Sequence, residues 1–85
     1  MNTEQTKTVH VQYYAVLREK RGLSSETLTT NAPDAQQLYQ ELKKRHGFTL
    51  SRDIVKVAVN DKFQDWQIPL KSGDTVVFIP PVAGG

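Results

Sequence analysis

Cysteine is absent from this 85-residue chain. Without a thiol, the chain can form no disulfide, no thiolate metal site and no cysteine nucleophile. Any sulfur chemistry must therefore use sulfur that is brought from elsewhere. Histidine is also scarce, since His10 and His46 lie far apart in the sequence and lack the spacing of metal ligands. We therefore expect no bound metal and no bound cofactor.

Other conventional catalytic groups are missing as well. The carboxylates are scattered, and none of them is marked as half of a facing acid/base pair. There is no glycine-rich phosphate loop. The serines in predicted loops or turns have no base at motif distance, and these are Ser24, Ser25, Ser51 and Ser72. The sequence therefore predicts no conventional active site, and we expect no catalysis by this chain alone.

Long apolar runs and strong charge are lacking too. No run approaches the roughly 20 residues that span a membrane, and residues 1–7 lack the apolar core of a signal peptide. We therefore expect no membrane association and a cytoplasmic location. The net charge is +2, and the basic clusters at residues 18–21 and 43–45 are short. Nucleic-acid binding requires a longer basic stripe with stacking aromatics, so we expect solvated helix faces here.

One helix is marked at both of its ends. Asp34 suits the N-cap, with Gln37 three residues later in a capping-box pattern. Gly47 suits the left-handed position after the last turn. Between these signals, one apolar stripe at helical spacing consists of Ala35, Leu38, Tyr39 and Leu42. The pattern predicts a helix over residues 35–46.

Period-two alternation predicts strands around residues 9–13 and 55–59. Residues with high β-propensity predict strands at 26–30 and 75–79, and good helix formers predict a short helix over residues 15–20. Asn60-Asp61 has hairpin-turn chemistry. The order predicts a two-layer α+β fold, in which one main helix packs across one face of a mixed sheet. We expect a domain at residues 8–79, a flexible extension at residues 1–7 and an extended tail at residues 80–85. The predicted core is Val9, Val11, Tyr13, Leu28, Leu38, Leu42, Val57, Val59, Val76 and Phe78.

The predicted tail has an unusual composition. It consists of Pro80, Pro81, Val82, Ala83, Gly84 and Gly85. The prolines favour an extended path, and residues 80–85 would reach about 19 Å at about 3.1 Å per residue. The glycines lack a Cβ and can thread a channel that is too narrow for other residues. A stiff base with a thin tip suits a carboxylate, that of Gly85, which is delivered into a partner's active site.

Four segments together resemble MoaD, the small subunit of molybdopterin synthase, and they are residues 9–22, 57–60, 69–76 and 78–85. The ending Pro-Pro-Val-Ala-Gly-Gly is the most specific part. Related ubiquitin-like carriers share the Gly-Gly and the Gly-Asp turn, so these features alone indicate only the superfamily. The resemblance implies a ubiquitin-like β-grasp fold. The polar extension, and the pair Tyr13-Tyr14 where the family often has phenylalanines, are mild departures.

The resemblance also implies a function. In the family, an ATP-dependent, MoeB-type enzyme adenylates the terminal carboxylate, and a persulfide donor replaces AMP with sulfur. The Gly85 thiocarboxylate would then enter a MoaE-type large subunit, within a heterotetramer, and donate sulfur to cyclic pyranopterin monophosphate in molybdenum cofactor synthesis. ATP would be used by the activating enzyme. Two alternatives remain open, a sulfur carrier for thiamine or cysteine synthesis and a ubiquitin-like modifier of lysines.

A carrier must dock on its partners, and strand alternation directs Tyr14 and Ile79 away from the predicted core. Phe63 follows the predicted hairpin turn. The family packs apolar residues at the matching positions against its partners, so the resemblance implies an exposed patch of Tyr14, Phe63 and Ile79. Arg18, in the matching Arg-Glu pair, is a further candidate for a polar contact at its rim. The alternative is that one or more of the three apolar residues completes the core.

Overall fold

Five strands and two α-helices lie within residues 6–81, the part of the chain that the computed structural model describes. In chain order they are β1 (Lys7–Tyr13), α1 (Ala15–Arg21), β2 (Ser25–Thr30), α2 (Ala35–His46), β3 (Lys56–Val59), β4 (Lys62–Gln64) and β5 (Thr75–Ile79). A single 3₁₀ turn, Arg52–Ile54, precedes β3 in this part of the chain. The predicted order of elements is confirmed except for β4, which was not predicted.

The strands form one mixed sheet in the order β2-β1-β5-β3-β4. The central strands β1 and β5 are parallel, with Tyr13 opposite Phe78, and the other neighbouring strands are antiparallel. Helix α2 packs its buried stripe against one face of this sheet. The predicted α+β architecture, with one main helix across a mixed sheet, is confirmed.

The ends of α2 fall where the capping signals place them. Asp34 Oδ1 accepts a hydrogen bond from the Gln37 backbone N–H at 2.8 Å. Gly47 adopts φ 73°, the left-handed conformation that glycine allows without strain, and its N–H donates to the Lys43 carbonyl. The predicted bounds of this helix are confirmed because both signals are local.

The core lies between α2 and the sheet. All of the predicted core residues are buried except Leu28, which is only partly buried because β2 is an edge strand. Tyr39 lies at the centre of an aromatic cluster, with ring centroids 6.2 Å from Phe48, 5.4 Å from Trp66 and 5.2 Å from Phe78. Two loops thus contribute aromatic rings to the core that strand and helix patterns did not predict.

The β3–β4 hairpin turns at Asn60 and Asp61. Both residues have positive φ, 53° and 73°, as the type I′ hairpin turn requires. Val59 consequently pairs with Lys62, and Phe63 pairs with Ala58. The predicted hairpin turn is confirmed, and it determines which face of the sheet Phe63 occupies.

Two predicted boundaries are corrected. Lys7, which was assigned to the extension at residues 1–7, begins β1, pairs with Thr30 and donates from Nζ to the Ala32 carbonyl at 2.9 Å. Its polar side chain gave no apolar signal, yet its backbone continues the ladder. Helix α1 ends at Arg21, one residue later than predicted. Residues 1–5 lie outside the described part of the chain. Within the described residues, no helix is long and apolar enough to cross a membrane.

Candidate functional site

The predicted tail begins at the end of the central strand β5. Pro80 is buried and Pro81 is exposed. Parallel pairing of Tyr13 with Phe78 brings the end of β1 beside the end of β5, so Tyr14 follows at the same edge of the sheet as Pro80. Val82, Ala83, Gly84 and Gly85 lie outside the described residues. The extended path of the tail and the role of its terminal carboxylate stay predictions.

The sheet has a face that α2 does not cover, and we call it the open face. Paired strand residues lie on the same side of a sheet. The register pairs Gln12 with Val77, Val77 with Ala58, and Ala58 with Phe63, so these side chains form one row across the sheet. Their chain neighbours, such as Phe78, lie in the core. A second row on this face begins with Lys56, which is paired with Ile79.

The open face is apolar along much of this row. Ala58 and Val77 are 7% and 9% exposed, and they form its floor. Phe63 is 70% exposed and stands above the floor at the edge strand β4. Large apolar side chains that are grouped on an exposed surface mark interaction sites more often than chance scatter does. Such an arrangement can bind the apolar surface of another protein.

The structure places each predicted patch residue near this face. Tyr14 is 47% exposed and Ile79 is half-buried. Neither Tyr14 nor Phe63 completes the core, because both remain exposed. Arg18 is exposed and lies one turn of α1 beyond Tyr14, to whose carbonyl it donates its backbone N–H at 3.4 Å. Their role in partner binding stays a prediction.

A polar network ties α1 to the edge of the sheet beside Tyr14. Glu26 of β2 accepts two hydrogen bonds from the Arg21 guanidinium, at 2.9 and 2.7 Å, and one from the Tyr13 hydroxyl at 2.6 Å. The Arg21 hydrogen bonds lower the pKa of Glu26 to about 2. Burial, reinforced by the hydrogen bond to Glu26, raises the pKa of Tyr13. The network therefore holds Glu26 as a carboxylate and fixes the helix that carries Arg18.

The junction between β1 and α1 is strained. Ala15, the first residue of α1, has φ 53°, a left-handed conformation that costs an alanine about 1–2 kcal/mol. This residue lies at the junction, two positions after the last residue of β1. Sequence reasoning missed this feature because alanine carries no signal for positive φ. It also missed the floor residues Ala58 and Val77, although strand alternation could have placed them opposite the core. It missed Lys56 as well, whose position beside Ile79 depends on the pairing of β3 with β5.

Within residues 6–81, no group of three or more His, Asp or Glu side chains could hold a metal ion. The sheet and helix of this chain, with an apolar open face at the root of a C-terminal segment, define a ubiquitin-like β-grasp protein. A ubiquitin of Caldiarchaeum subterraneum superposes with a TM-score of 0.61 and 16% identity over 95% of this chain and 100% of that one. At this identity, the likeness shows the fold alone.

The chain belongs to the ThiS family, whose family model matches residues 11–85. The molybdopterin synthase sulfur carrier subunit of Escherichia coli is 30% identical over 80 residues, which are 91% of this chain and 99% of that protein. A solved complex of subunits 1 and 2 of molybdopterin-converting factor from Helicobacter pylori contains a chain that is 29% identical, with a TM-score of 0.62 over 92% of this chain and 99% of that one. The predicted resemblance is confirmed.

Proposed function

We propose that this chain is the sulfur-carrier subunit of a molybdopterin synthase, and that the Gly85 carboxylate carries the sulfur as a thiocarboxylate. One observation carries the proposal, namely that the apolar open face adjoins the end of β5, from which the tail departs. A protein that covers this face is thereby brought beside the root of the tail. The Escherichia coli sulfur carrier and the Helicobacter pylori two-subunit complex support it.

The sheet supplies a fixed origin for the tail. Ile79 pairs with Lys56, and Pro80 is buried, so the backbone up to this residue is held by the domain. A proline at the origin further limits the directions that the following residues can take. Docking on the open face would therefore define where residues 82–85 enter the partner. The cost of ordering the tail on binding is reduced because its base is already ordered.

The proposed chemistry has two stages on the carboxylate. A MoeB-type enzyme transfers AMP from ATP to the Gly85 carboxylate and releases pyrophosphate, which gives the carbonyl carbon a good leaving group. A persulfide sulfur then displaces AMP, and a thiol cleaves the remaining S–S bond to leave the thiocarboxylate. ATP is bound by the activating enzyme. The acid and base groups belong to these partners, and this chain supplies the sulfur atom and its delivery.

The thiocarboxylate would act within a MoaE-type large subunit, where its sulfur is transferred to cyclic pyranopterin monophosphate. We propose a heterotetramer of two carriers and two large subunits as the working assembly, located in the cytoplasm. Each carrier would dock through Tyr14, Phe63 and Ile79, with Arg18 at the rim. The same face would have to serve the activating enzyme, so the two partners bind in turn.

Intact-mass spectrometry of the protein from its native host tests the thiocarboxylate. Replacing oxygen by sulfur adds about 16 Da, and oxidation of Met1, the sole methionine, adds nearly the same mass. Treatment with an alkylating reagent distinguishes them, because a thiocarboxylate is alkylated and a sulfoxide is not. Treatment with methionine sulfoxide reductases is the matched control, because it removes the added mass of a sulfoxide and leaves that of a thiocarboxylate. A protein conjugate of much greater mass would instead favour the modifier alternative.

Reconstitution with the large subunit tests the tail. Deleting Gly85, or adding one residue after it, should abolish molybdopterin formation and leave the unfolding midpoint unchanged, because neither change touches the domain. Full activity with an extended tail would contradict the mechanism. Thiamine or cysteine synthesis in place of molybdopterin formation would identify this chain as a carrier for another pathway.

A further inference from the structure

Lys56 places a positive charge on the open face beside apolar side chains. It is the first residue of β3, it is exposed, and it pairs with Ile79 across the sheet. The next residue of β3 on this face is Ala58, in the row that ends at Phe63. Among the strand residues described on the open face, no other is Lys, Arg, Asp or Glu. This face therefore combines apolar contact area with one formal charge.

The ammonium of Lys56 forms no ion pair within 4.0 Å in the described part of the chain, where the ion pairs are Arg21–Glu26 and Arg45–Glu41. Asp65 lines the same shallow depression as Lys56 and Phe63, yet it does not pair with the lysine. Water therefore solvates this charge in the free protein. Among residues 6–81, no carboxylate lies within 4.0 Å of this ammonium to compensate its charge once a partner excludes that water.

Covering the open face has a consequence for this charge. Removing an ammonium from water costs free energy that only an opposite charge in good geometry offsets. An apolar partner surface that packs on Phe63 and Ile79 would also cover Lys56, because the three side chains share one face. A protein without a carboxylate at this point would leave the Lys56 ammonium unpaired and would bind poorly. Lys56 would thereby discriminate between possible partners.

We propose that the large subunit presents a carboxylate to Lys56, inside an apolar recess that receives Phe63 and Ile79, and that this pair selects the partner. The inference rests on the proposed function, since it takes the large subunit as the occupant of the open face. The surface of the large subunit that faces Lys56 would therefore consist of an acidic group surrounded by apolar contact area. Lys56 is thus a specificity-determining residue.

Titration calorimetry against the purified large subunit of the same host tests this pair. Lys56→Met keeps the aliphatic stem and removes the charge, so it should weaken binding about tenfold, because the partner carboxylate is left unpaired. Lys56→Glu should weaken binding about a hundredfold through like-charge repulsion. The salt dependence of the affinity should also decrease in Lys56→Met, because an interfacial charge pair is screened by salt.

Lys44→Met is the matched control. Lys44 is exposed on α2, which covers the other face of the sheet, so this variant changes the net charge equally and should bind within about twofold of wild type. Equal weakening in both methionine variants would overturn the proposal, because a general charge effect would then suffice. Replacing the opposing carboxylate of the large subunit by lysine should restore affinity to Lys56→Glu.

The sign of the Lys56→Met effect decides the inference. Binding as tight as wild type, or tighter, would show that no carboxylate faces this lysine and would overturn the inference while the proposed function stands. If wild type has no affinity for the large subunit, the proposed function fails and the inference fails with it. Fluorescence of Trp66, the sole tryptophan, verifies that each variant is folded, because its ring stacks on Phe78 in the core.

Discussion

The two faces of the sheet place the same kind of side chain in opposite surroundings. Phe78 on the covered face is fully buried, with ring centroids 5.2 Å from Tyr39 and 6.0 Å from Trp66. Phe63 on the open face is 70% exposed. Strand pairing assigns them to these roles, because Phe63 pairs with Ala58 and Phe78 pairs with Val57, and these successive residues of β3 point to opposite faces. Stability and docking are therefore separable by substitution, although both depend on the same sheet.

The largest effect is expected on the covered face. Phe78→Ala removes a buried aromatic ring and leaves a cavity between α2 and the sheet, which should cost about 3–5 kcal/mol of unfolding free energy. Urea denaturation followed by Trp66 fluorescence measures the loss. A cost below about 1 kcal/mol would contradict the assignment of Phe78 to the centre of the core.

The matched substitution on the open face should behave in the opposite way. Phe63→Ala should change the unfolding free energy by no more than about 0.5 kcal/mol, since the exposed ring has little burial to lose. Its affinity for the large subunit should fall about tenfold or more, because aromatic anchors contribute strongly to interfaces. Ile79→Lys should weaken binding similarly. Unchanged affinity in both variants would remove the open face from the interface.

The hydrogen-bond network around Glu26, on the edge strand β2, should contribute less to the free energy of unfolding than the core does. Glu26→Gln should cost about 1–2 kcal/mol at neutral pH, because it removes the negative charge opposite Arg21 and replaces one of the two acceptor oxygens by an amide NH₂ group. Urea titrations of wild type and variant at neutral pH measure the difference. Glu19→Gln, on the exposed side of α1, is the control and should cost almost nothing.

The pH dependence of the difference in stability between wild type and Glu26→Gln tests the role of the Glu26 charge directly. The folded pKa of Glu26, about 2, lies below its ordinary value of 4.5, so its contribution is complete above that ordinary value. The contribution is lost as the pH falls from about 4.5 towards about 2, when the carboxylate takes up a proton. The difference in stability between wild type and Glu26→Gln should therefore shrink over this interval. A difference that is constant with pH would show that the charge of Glu26 does not matter.

The smallest effect is expected at the ends of α1. Ala15→Gly should stabilise the protein by about 0.5 kcal/mol, because glycine relieves the positive φ but has more unfolded-state freedom to lose. Gly22, at φ 85°, ends the same helix, so Gly22→Ala should destabilise by about 1 kcal/mol. Thermal unfolding of both variants measures the pair. If both substitutions changed the stability in the same direction, the left-handed geometry at one of the two sites would be contradicted.

Features that are marked by neighbouring residues could be predicted from the sequence, and features that depend on contacts between distant residues could not. The bounds of α2 came from Asp34 and Gly47, which act within one turn, and β5 was delimited by a turn and by Pro80. The three-residue strand β4 was not assigned, since it exists only by pairing with β3. Phe48 and Trp66 were likewise missed, because burial of a loop residue depends on packing between distant segments.

The same distinction between local and distant signals applies to the residues of the candidate site. Tyr14 was predicted to point away from the core from the strand period, and the exposure of Phe63 was implied by the resemblance to the family. Both side chains are exposed. Lys56 was not assigned to the patch, because its proximity to Ile79 depends on the antiparallel register of β3 and β5. Such pairings between distant segments are set by the whole fold. A single sequence contains no local signal for them.

The position of β5 has a consequence for the order of folding. This strand joins β1 to β3 at the centre of the sheet, so a nascent chain that ends at Gly73 has two separate hairpins without a common sheet. Both faces form only when β5 inserts, a step that depends on contacts between distant parts of the chain and is slow for that reason. Chains that end before β5 therefore lack the complete open face, on which we propose that the large subunit docks.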